Sequence, residues 1–277
     1  MMDIVTVGKI VNAAEYLPEI EINEADAEFF SAVSGNENSI YAVRFREKAV
    51  GLAQMIRGEM AFAYVYIFPK YRRNGYGQAA FALLEQQLRD GGAKKIVTSY
   101  GSGDALAAAF AARCGFHKQF ESDYMVYEGP GFPPEENHVR EYRDEDYPAA
   151  HRMYAEAFHR MRLETGWFPD SVPEPPSERM RRYWAETAGE RLVWEEDGRI
   201  AGYAHIDGNE LGSISVHPEM QGKGIGRRFV KEVINRILAE CEMVSLYCVV
   251  GNDKARSLYD SLGFLPVYRS DYAVKKL

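Results

Sequence analysis

The stretch VHPEMQGKGIGRRF, Val216 to Phe229, sets Gly222, Gly224 and Gly226 at alternate positions. An apolar, β-rich segment precedes it. Phe229, Val230, Val233, Ile234, Ile237 and Leu238 follow it with the spacing of one helix face. The glycines therefore fall at a strand-to-helix junction. Each loses more backbone freedom on folding than any other residue type, so three together are costly unless something approaches that backbone closely. A helix N-terminus leaves its first N–H groups unpaired and carries partial positive charge. Glycines let successive N–H groups turn inward as a nest for phosphate oxygens, with Lys223 and Arg227 adding charge at the rim. The other reading of the same residues is a tight turn and nothing more.

Two familiar phosphate loops are excluded by spacing. A P-loop requires Gly-x-x-x-x-Gly-Lys-Ser/Thr, and no Lys-Ser or Lys-Thr follows these glycines. A dinucleotide fingerprint requires Gly-x-Gly-x-x-Gly after the first strand of a βαβ unit, whereas this loop follows several strands and its third spacing differs.

The loop also has a partner elsewhere in the chain. IFPKYRRNGYG (Ile67–Gly77) matches VHPEMQGKGIG (Val216–Gly226) in its proline, its last two glycines and their spacing. GFHKQFESDYMVY (Gly115–Tyr127) and GFLPVYRSDYAVK (Gly263–Lys275) share Gly-Phe and, at the same distance, Ser-Asp-Tyr. Gly77 and Gly115 are 38 residues apart, Gly226 and Gly263 37. The chain thus reads as two copies of one domain, 1–130 and 137–277, joined by the Pro- and Gly-rich EGPGFPPEEN at Glu128–Asn137.

Both copies share a coarse plan. Alternating residues predict hairpins with turns at Glu47-Lys48 and Asp197-Gly198, then strands at Ala61–Phe68 and Leu211–His217, then the glycine loop and an amphipathic helix. In the second copy a strand at Met243–Val249, a helix at Asn252–Leu262 and a last strand at Leu265–Val274 complete the domain. HVREY reads as its first strand, with helices around Ala149–Met161 and Ser177–Thr187. The fold class is α/β, a mixed sheet with helices, in two tandem domains.

The 277 residues carry a net charge of −8, with both halves mildly acidic, so neither is built to coat nucleic acid. Cys114, Cys241 and Cys248 lack metal-type spacing, and their odd number argues against a disulfide framework. The first residues lack a basic segment followed by an apolar run, and no stretch approaches the ~20 apolar residues of a membrane span. A cytoplasmic protein with reduced thiols, no metal and no membrane contact is expected.

NDKARSLYDSLGF (Asn252–Phe264) sets Asn, Ala, Tyr and Gly-Phe at offsets 0, 3, 7 and 11–12. With Gln221-x-x-Gly224-x-Gly226 some 26 residues upstream, it resembles the Gcn5-related N-acetyltransferase (GNAT) superfamily, and the resemblance covers both copies. It implies an N-acetyltransferase with acetyl-CoA as co-substrate. The pyrophosphate would lie on the N–H groups of Gly222, Lys223, Gly224, Ile225, Gly226 and Arg227, next to Gln221. The pantetheine arm would pair with the strand ending at Val216, and Asn252 would bind it. Tyr259 would sit by the thioester sulfur as proton donor. Glu210, eleven residues before Gln221, matches in register the catalytic glutamate of the histone-acetyltransferase branch, with His205 and Asp207 as other candidate bases.

The first copy keeps the loop as Arg72-x-x-Gly75-x-Gly77 but has Asp104, Ala111 and Ala61 where the second has Asn252, Tyr259 and Glu210. Activity is therefore expected in the C-terminal copy; the first either binds coenzyme A or props up its neighbour. The acceptor, a small-molecule or peptide amine, would enter near Trp167, Phe168, Tyr183 and Trp184, with Glu164 or Asp170 facing its charge, unless these aromatics only pack a long loop. Two alternatives stay open: a non-catalytic coenzyme A-binding module, and an acyltransferase using another acyl donor. Oligomeric state and acceptor identity are not read from the sequence.

Overall fold

The computed structural model describes residues 5–10, 12–21, 27–35, 37–134 and 138–277. The expected linker falls in part, at 135–137, outside the described residues. The chain forms two compact units, Met1–Glu121 with Tyr268–Leu277, and Ser122–Val267. Each unit takes its last strand from the other repeat. Strand β12 (Leu265–Lys276), expected to close its own copy, pairs antiparallel with β5 (Lys95–Gly101) of the first unit, Ser270 opposite Gly101 through Lys276 opposite Lys95. Residues 122–127 of β6 (His117–Tyr127) pair with β11 (Val244–Val249) of the second unit, Val249 opposite Ser122 through Val244 opposite Tyr127. Both exchanged strands carry the repeated Ser-Asp-Tyr. Asp123 takes an ion pair from Arg256 at 2.6 Å, and Asp271 accepts from the Ser102 hydroxyl and pairs with Lys118 at 3.1 Å. A buried carboxylate is stable only when paired in this way.

The second unit is a mixed sheet in the order β7-β8-β9-β10-β11-β6. Here β7 is Val139–Glu141, β8 Arg191–Glu196, β9 Arg199–Asp207 and β10 Glu210–Val216. All neighbours run antiparallel except β10 and β11. Side chains of β8 alternate as a strand requires: Leu192 and Trp194 join one core, Val193 the other. On the first face lie α6 (Ile225–Leu238) and α7 (Asp253–Leu262), on the second α4 (Tyr147–Glu164) and α5 (Glu178–Glu186). The apolar stripe of α6 buries Phe229, Val230, Val233, Ile234 and Ile237. A fully buried side chain of this kind contributes roughly 1.5–3 kcal/mol. Gly202 makes the close approach possible, because a Cβ there would meet Phe229 and Trp194 at 2.9 Å.

The first unit repeats the plan in the order β1-β2-β3-β4-β5-β12, with β1 Val5–Lys9, β2 Ile40–Phe45, β3 Lys48–Ile56 and β4 Met60–Ile67. Helices α2 (Tyr76–Asp90) and α3 (Ala105–Arg113) pack one face, α1 (Ala27–Ser34) the other. The first hairpin turns at Arg46-Glu47, one residue earlier than the sequence suggests, and both residues have positive φ (48° and 67°). The equivalent turn at Asp197-Gly198 (50° and 71°) stands where expected. Positive φ at both positions is the type I′ geometry that matches strand twist.

Candidate active site

The glycine loop of the second unit connects β10 to α6 through a 3₁₀ turn at Pro218–Met220. Gly222 and Gly224 both have positive φ (75° and 81°), and Gly224 is the N-cap of α6. A Cβ at either would meet nothing within 4 Å. Glycine takes up this left-handed backbone without the strain a Cβ brings, and the space beside it lies open. The side-chain amide of Gln221 donates to the Val216 carbonyl at 3.0 Å and so ties the loop back to the strand end. Gly226 faces Val216 and Leu258 of α7: a Cβ there would lie 3.7 and 3.9 Å from their side chains, at ordinary contact distance. Arg227 donates to the hydroxyl and carbonyl oxygens of Ser261 (2.5 and 3.2 Å), and Lys223 reaches Met220 Sδ at 3.5 Å. Val216 and Ile225 belong to the same buried cluster as Tyr259. Strand, loop, α6 and α7 thus meet at one place.

The other end of β10 is where it pairs with β11. The parallel ladder with β11 is made at Glu210 opposite Ser245, and from there toward Val216 the two strands part. Between Leu211 and Ser213 the register with β9 also shifts, a β-bulge at Gly212. Bulges bend a strand and re-aim neighbouring groups, and they recur beside active sites. A Cβ at Gly212 would stand 3.1 Å from His205 Nδ1 and 3.9 Å from Glu210 Oε1, so these two side chains flank the bulge. The sequence reading passed over Gly212, although a lone glycine inside a strand pattern is a bulge signal. Glu210 is half-buried, opposite Asp207 of β9. His205 lies 3.4 Å from Glu190, and burial, with help from Arg191, lowers its pKa and favours the neutral ring. From Glu210 to Val216 the strand covers about 20 Å at ~3.3 Å per residue.

Asn252 is the N-cap of α7, its side-chain oxygen accepting from the Ala255 N–H at 3.4 Å. The NH₂ of the same amide is a donor that a carboxylate at this position would lack. Two turns along, Tyr259 is buried against Phe264, edge to face at 5.6 Å. Burial above all, and Cys248 beside it, raise the pKa of its hydroxyl, so Tyr259 holds its proton throughout the physiological range. Cys248 is itself pushed up to about 11 by burial and stays a thiol. An unionised, buried thiol is no nucleophile.

The residues expected around the acceptor divide. Trp184 is 3% exposed and stacks on Tyr203 at 4.5 Å, a core residue of the α4–α5 face. Trp167 Nε1 donates to the Val250 carbonyl at 3.0 Å, and Glu164 pairs with Lys254 at 3.2 Å. These two contacts seat the end of α4 and the segment after it on the β11–α7 junction, beside Asn252. Tyr183 is exposed, and Phe168 lies under Arg162. Among the described residues, the buried side-chain polar atoms without a partner are Tyr142 Oη, His151 Nε2 and Arg191 Nε of the α4–α5 face and, on β10, Ser215 Oγ.

In the first unit a cleft of about 640 Å³ opens between β4 and β5. Their ladder ends at Phe62 opposite Val97, and the next residues, Ala63 and Thr98, line the cleft. The loop conformation is conserved between the units residue for residue: Gly75 (φ 79°) caps α2 as Gly224 caps α6, and Arg73 adopts φ 64° where Gly222 has 75°. Arg72 Nε donates to the Ile67 carbonyl at 3.0 Å, as Gln221 does to Val216. The chemical groups differ. Asp104 caps α3 by accepting from the N–H groups of Leu106 and Ala107 at 2.9 Å, Ala111 stands on the inner face of that helix, and β4 pairs with β3 in unbroken register without a bulge.

A parallel strand pair that splays open beside a glycine-rich helix start is the architecture of an acyl-CoA-dependent acyltransferase, and this chain contains it twice. The chain belongs to the acetyltransferase (GNAT) family, whose sequence profile matches residues 11–116 and 158–264, and it is an N-acetyltransferase. It is 26% identical over 230 residues to a mycothiol acetyltransferase of Acidothermus cellulolyticus, covering 74% of this chain and 68% of that one. With the N-alpha-acetyltransferase RimI of Mycobacterium tuberculosis it shares 32% identity over 118 residues, 40% of this chain and 73% of that one. In fold it resembles a GCN5-related N-acetyltransferase from Sphaerobacter thermophilus (TM-score 0.66, 17% identity, 98% and 95% of the two chains). It also resembles a tandem GNAT protein from the clavulanic acid biosynthesis pathway (TM-score 0.62, 16% identity, 98% of each chain). Among the described residues no three His, Cys, Asp or Glu side chains converge to hold a metal ion, and no helix is long and apolar enough to cross a membrane.

Proposed function

We propose that the second repeat transfers an acetyl group from acetyl-CoA to a primary amine, and that the first repeat holds coenzyme A without transferring. The observation that carries this reading is the asymmetry between the units. The second combines the glycine loop with the Gly212 bulge, Glu210, Asn252 and Tyr259, whereas the first has the loop with Ala61, Asp104, Ala111 and a regular strand.

In the second unit the N–H groups from Gly222 to Arg227 receive the pyrophosphate, with Lys223 at the rim, while Gln221 holds Val216 and the loop in place. The open edge of β10 up to Val216 takes the pantetheine amides, and the Asn252 NH₂ donates to one of their carbonyls. That puts the thioester deep in the splay, toward the bulge. The acceptor nitrogen then attacks the carbonyl carbon, the C–S bond breaks, and the sulfur leaves with the electron pair. Before the attack, Glu210 takes the proton that the acceptor ammonium must lose to expose its lone pair, directly or through water, with His205 as the neighbouring neutral base. Tyr259, still protonated, offers its O–H to the departing sulfur. The free cysteines and the absence of a membrane-length helix among the described residues support a reducing, cytoplasmic setting.

The test is thiol release from acetyl-CoA across a panel of amines. The named relatives put a mycothiol-type small molecule and a peptide N-terminal amine at its head, followed by polyamines, aminoglycosides and amino acids. Acceptor-dependent release, with a mass gain of one acetyl group on the acceptor, supports the reading. Tight coenzyme A binding without release against any amine, or release with only a longer acyl donor, replaces it.

A further inference from the structure

The first unit keeps its cleft where its chemical groups are gone, and the shape of the inner end is informative. At the position of Tyr259 stands Ala111, with Ala107 one turn before it on the same helix face. Both line the cleft, as do Ala63 at the strand apex, Phe81 of α2 and Phe116. All but Ala107 are buried in the unit's apolar core. Replacing a tyrosine by alanine removes a ring and a hydroxyl from the place where the thioester would lie. Alanine methyls and phenyl rings dominate that place, with the buried Thr98 beside Ala63 as a polar neighbour, so an acyl chain finds more apolar surface there than a polar group finds partners. The whole cleft, about 640 Å³, lies in the range of ordinary ligand sites.

We propose that the first unit is a holding site for an acyl-CoA whose acyl group is longer than acetyl, its chain occupying the apolar space left by Ala111. The proposal rests on the reading that this unit's loop still binds coenzyme A. No transfer occurs there, because Ala61 and Ala111 carry no acid or base and Asp104 lacks the amide NH₂ with which Asn252 would donate to a pantetheine carbonyl. The unit would thereby report the presence of longer acyl-CoA without consuming it. Each methylene buried in such a space strengthens binding about fourfold, so butyryl-CoA should bind about fifteenfold tighter than acetyl-CoA.

The experiment is calorimetric titration of the full chain carrying Gly224→Val, which silences the loop of the second unit, with coenzyme A, acetyl-CoA and butyryl-CoA. The expected order is butyryl-CoA tightest by about fifteenfold, and Ala111→Tyr in the same background should erase that preference while leaving the affinity for coenzyme A itself within about twofold. The chain-length comparison is also read on the unsubstituted chain, as one of two sites, so it does not depend on either variant folding. Equal affinity for acetyl- and butyryl-CoA, with coenzyme A still bound, overturns the acyl-chain inference alone. Equal losses for all three ligands in Ala111→Tyr overturn it as well. No binding of any of the three removes the reading of the loop, and the inference with it.

Discussion

Removing one oxygen from Tyr259 isolates its chemical role. Tyr259→Phe keeps the ring that packs edge to face on Phe264 at 5.6 Å within the main core of the second unit, so the variant should fold and bind acetyl-CoA normally. The size of the kinetic effect follows from the burial of the group. Positioned proton transfer is typically worth about 10²–10⁴-fold. Here the hydroxyl is raised above its ordinary value, while a free thiol titrates near ~8.5, so full proton transfer to the sulfur runs uphill in the closed site. In the proposed role the hydroxyl would act chiefly as a hydrogen-bond donor to developing negative charge, worth about 1.5–3 kcal/mol. The expected loss is therefore about tenfold to a hundredfold, at the low end of the acid–base range. It should fall on kcat with KM for acetyl-CoA within about twofold, because the bond strengthens only as the C–S bond breaks. Stopped-flow or coupled thiol detection at saturating acceptor measures it, with the thermal midpoint as a folding control. An unchanged kcat in a folded variant refutes the placement of Tyr259 at the sulfur.

Further outcomes follow from other groups. Glu210→Gln should lower the rate near neutral pH and keep climbing with pH where the unsubstituted enzyme has levelled; an identical profile would move the base to His205, Asp207 or water. His151 is 2% exposed, and burial lowers its pKa below the ordinary ~6.5. The unfolded chain therefore binds the proton first, and stability present above pH ~6.5 is lost as pH falls through that value. Since His205 is lowered too, His151→Phe should shrink rather than abolish the drop in urea midpoint between pH 7.5 and 5.5, and an unaltered drop counts against the argument. Burial pushes Cys114 and Cys248 up to about 11, whereas Cys241 is half-buried. A disulfide reagent at pH 8 should accordingly label Cys241 first and the other two only on unfolding, as read by peptide mass; early labelling of Cys248 would mean its pocket opens to solvent.

Much of the fold was legible because its signals are periodic or local. The α6 stripe, the glycine loop and the cap at Asn252 each rest on fixed spacing, and the strand ends fell within one or two residues of those observed. The turn at Arg46-Glu47 escaped because neither residue carries the glycine or asparagine that marks a left-handed position. The exchange of last strands escaped for a different reason. Ser122-Asp123-Tyr124 and Ser270-Asp271-Tyr272 present the same pattern, so nothing local in either strand says which β-neighbour it joins; what differs is the environment, Arg256 facing Asp123 and Ser102 facing Asp271. Of the site, loop and helix cap were readable, but the Gly212 bulge and the burial of Trp184 depend on what packs across the sheet.

Transfer is assigned to the second unit, and the paired glycines at the helix starts separate it from the first. Gly224 and Gly75 have the same backbone, φ 81° and 79°, and at each a Cβ would meet nothing within 4 Å, so a valine imposes the same strain on either loop. Forcing a β-branched residue into this region costs on the order of 1–3 kcal/mol or displaces the loop, without breaking into either core. The measurement is acceptor-dependent thiol release from acetyl-CoA by the full-length Gly224→Val and Gly75→Val variants side by side. The account predicts that Gly224→Val abolishes release and Gly75→Val leaves kcat within about twofold. Loss of release in Gly75→Val with full activity in Gly224→Val would contradict it.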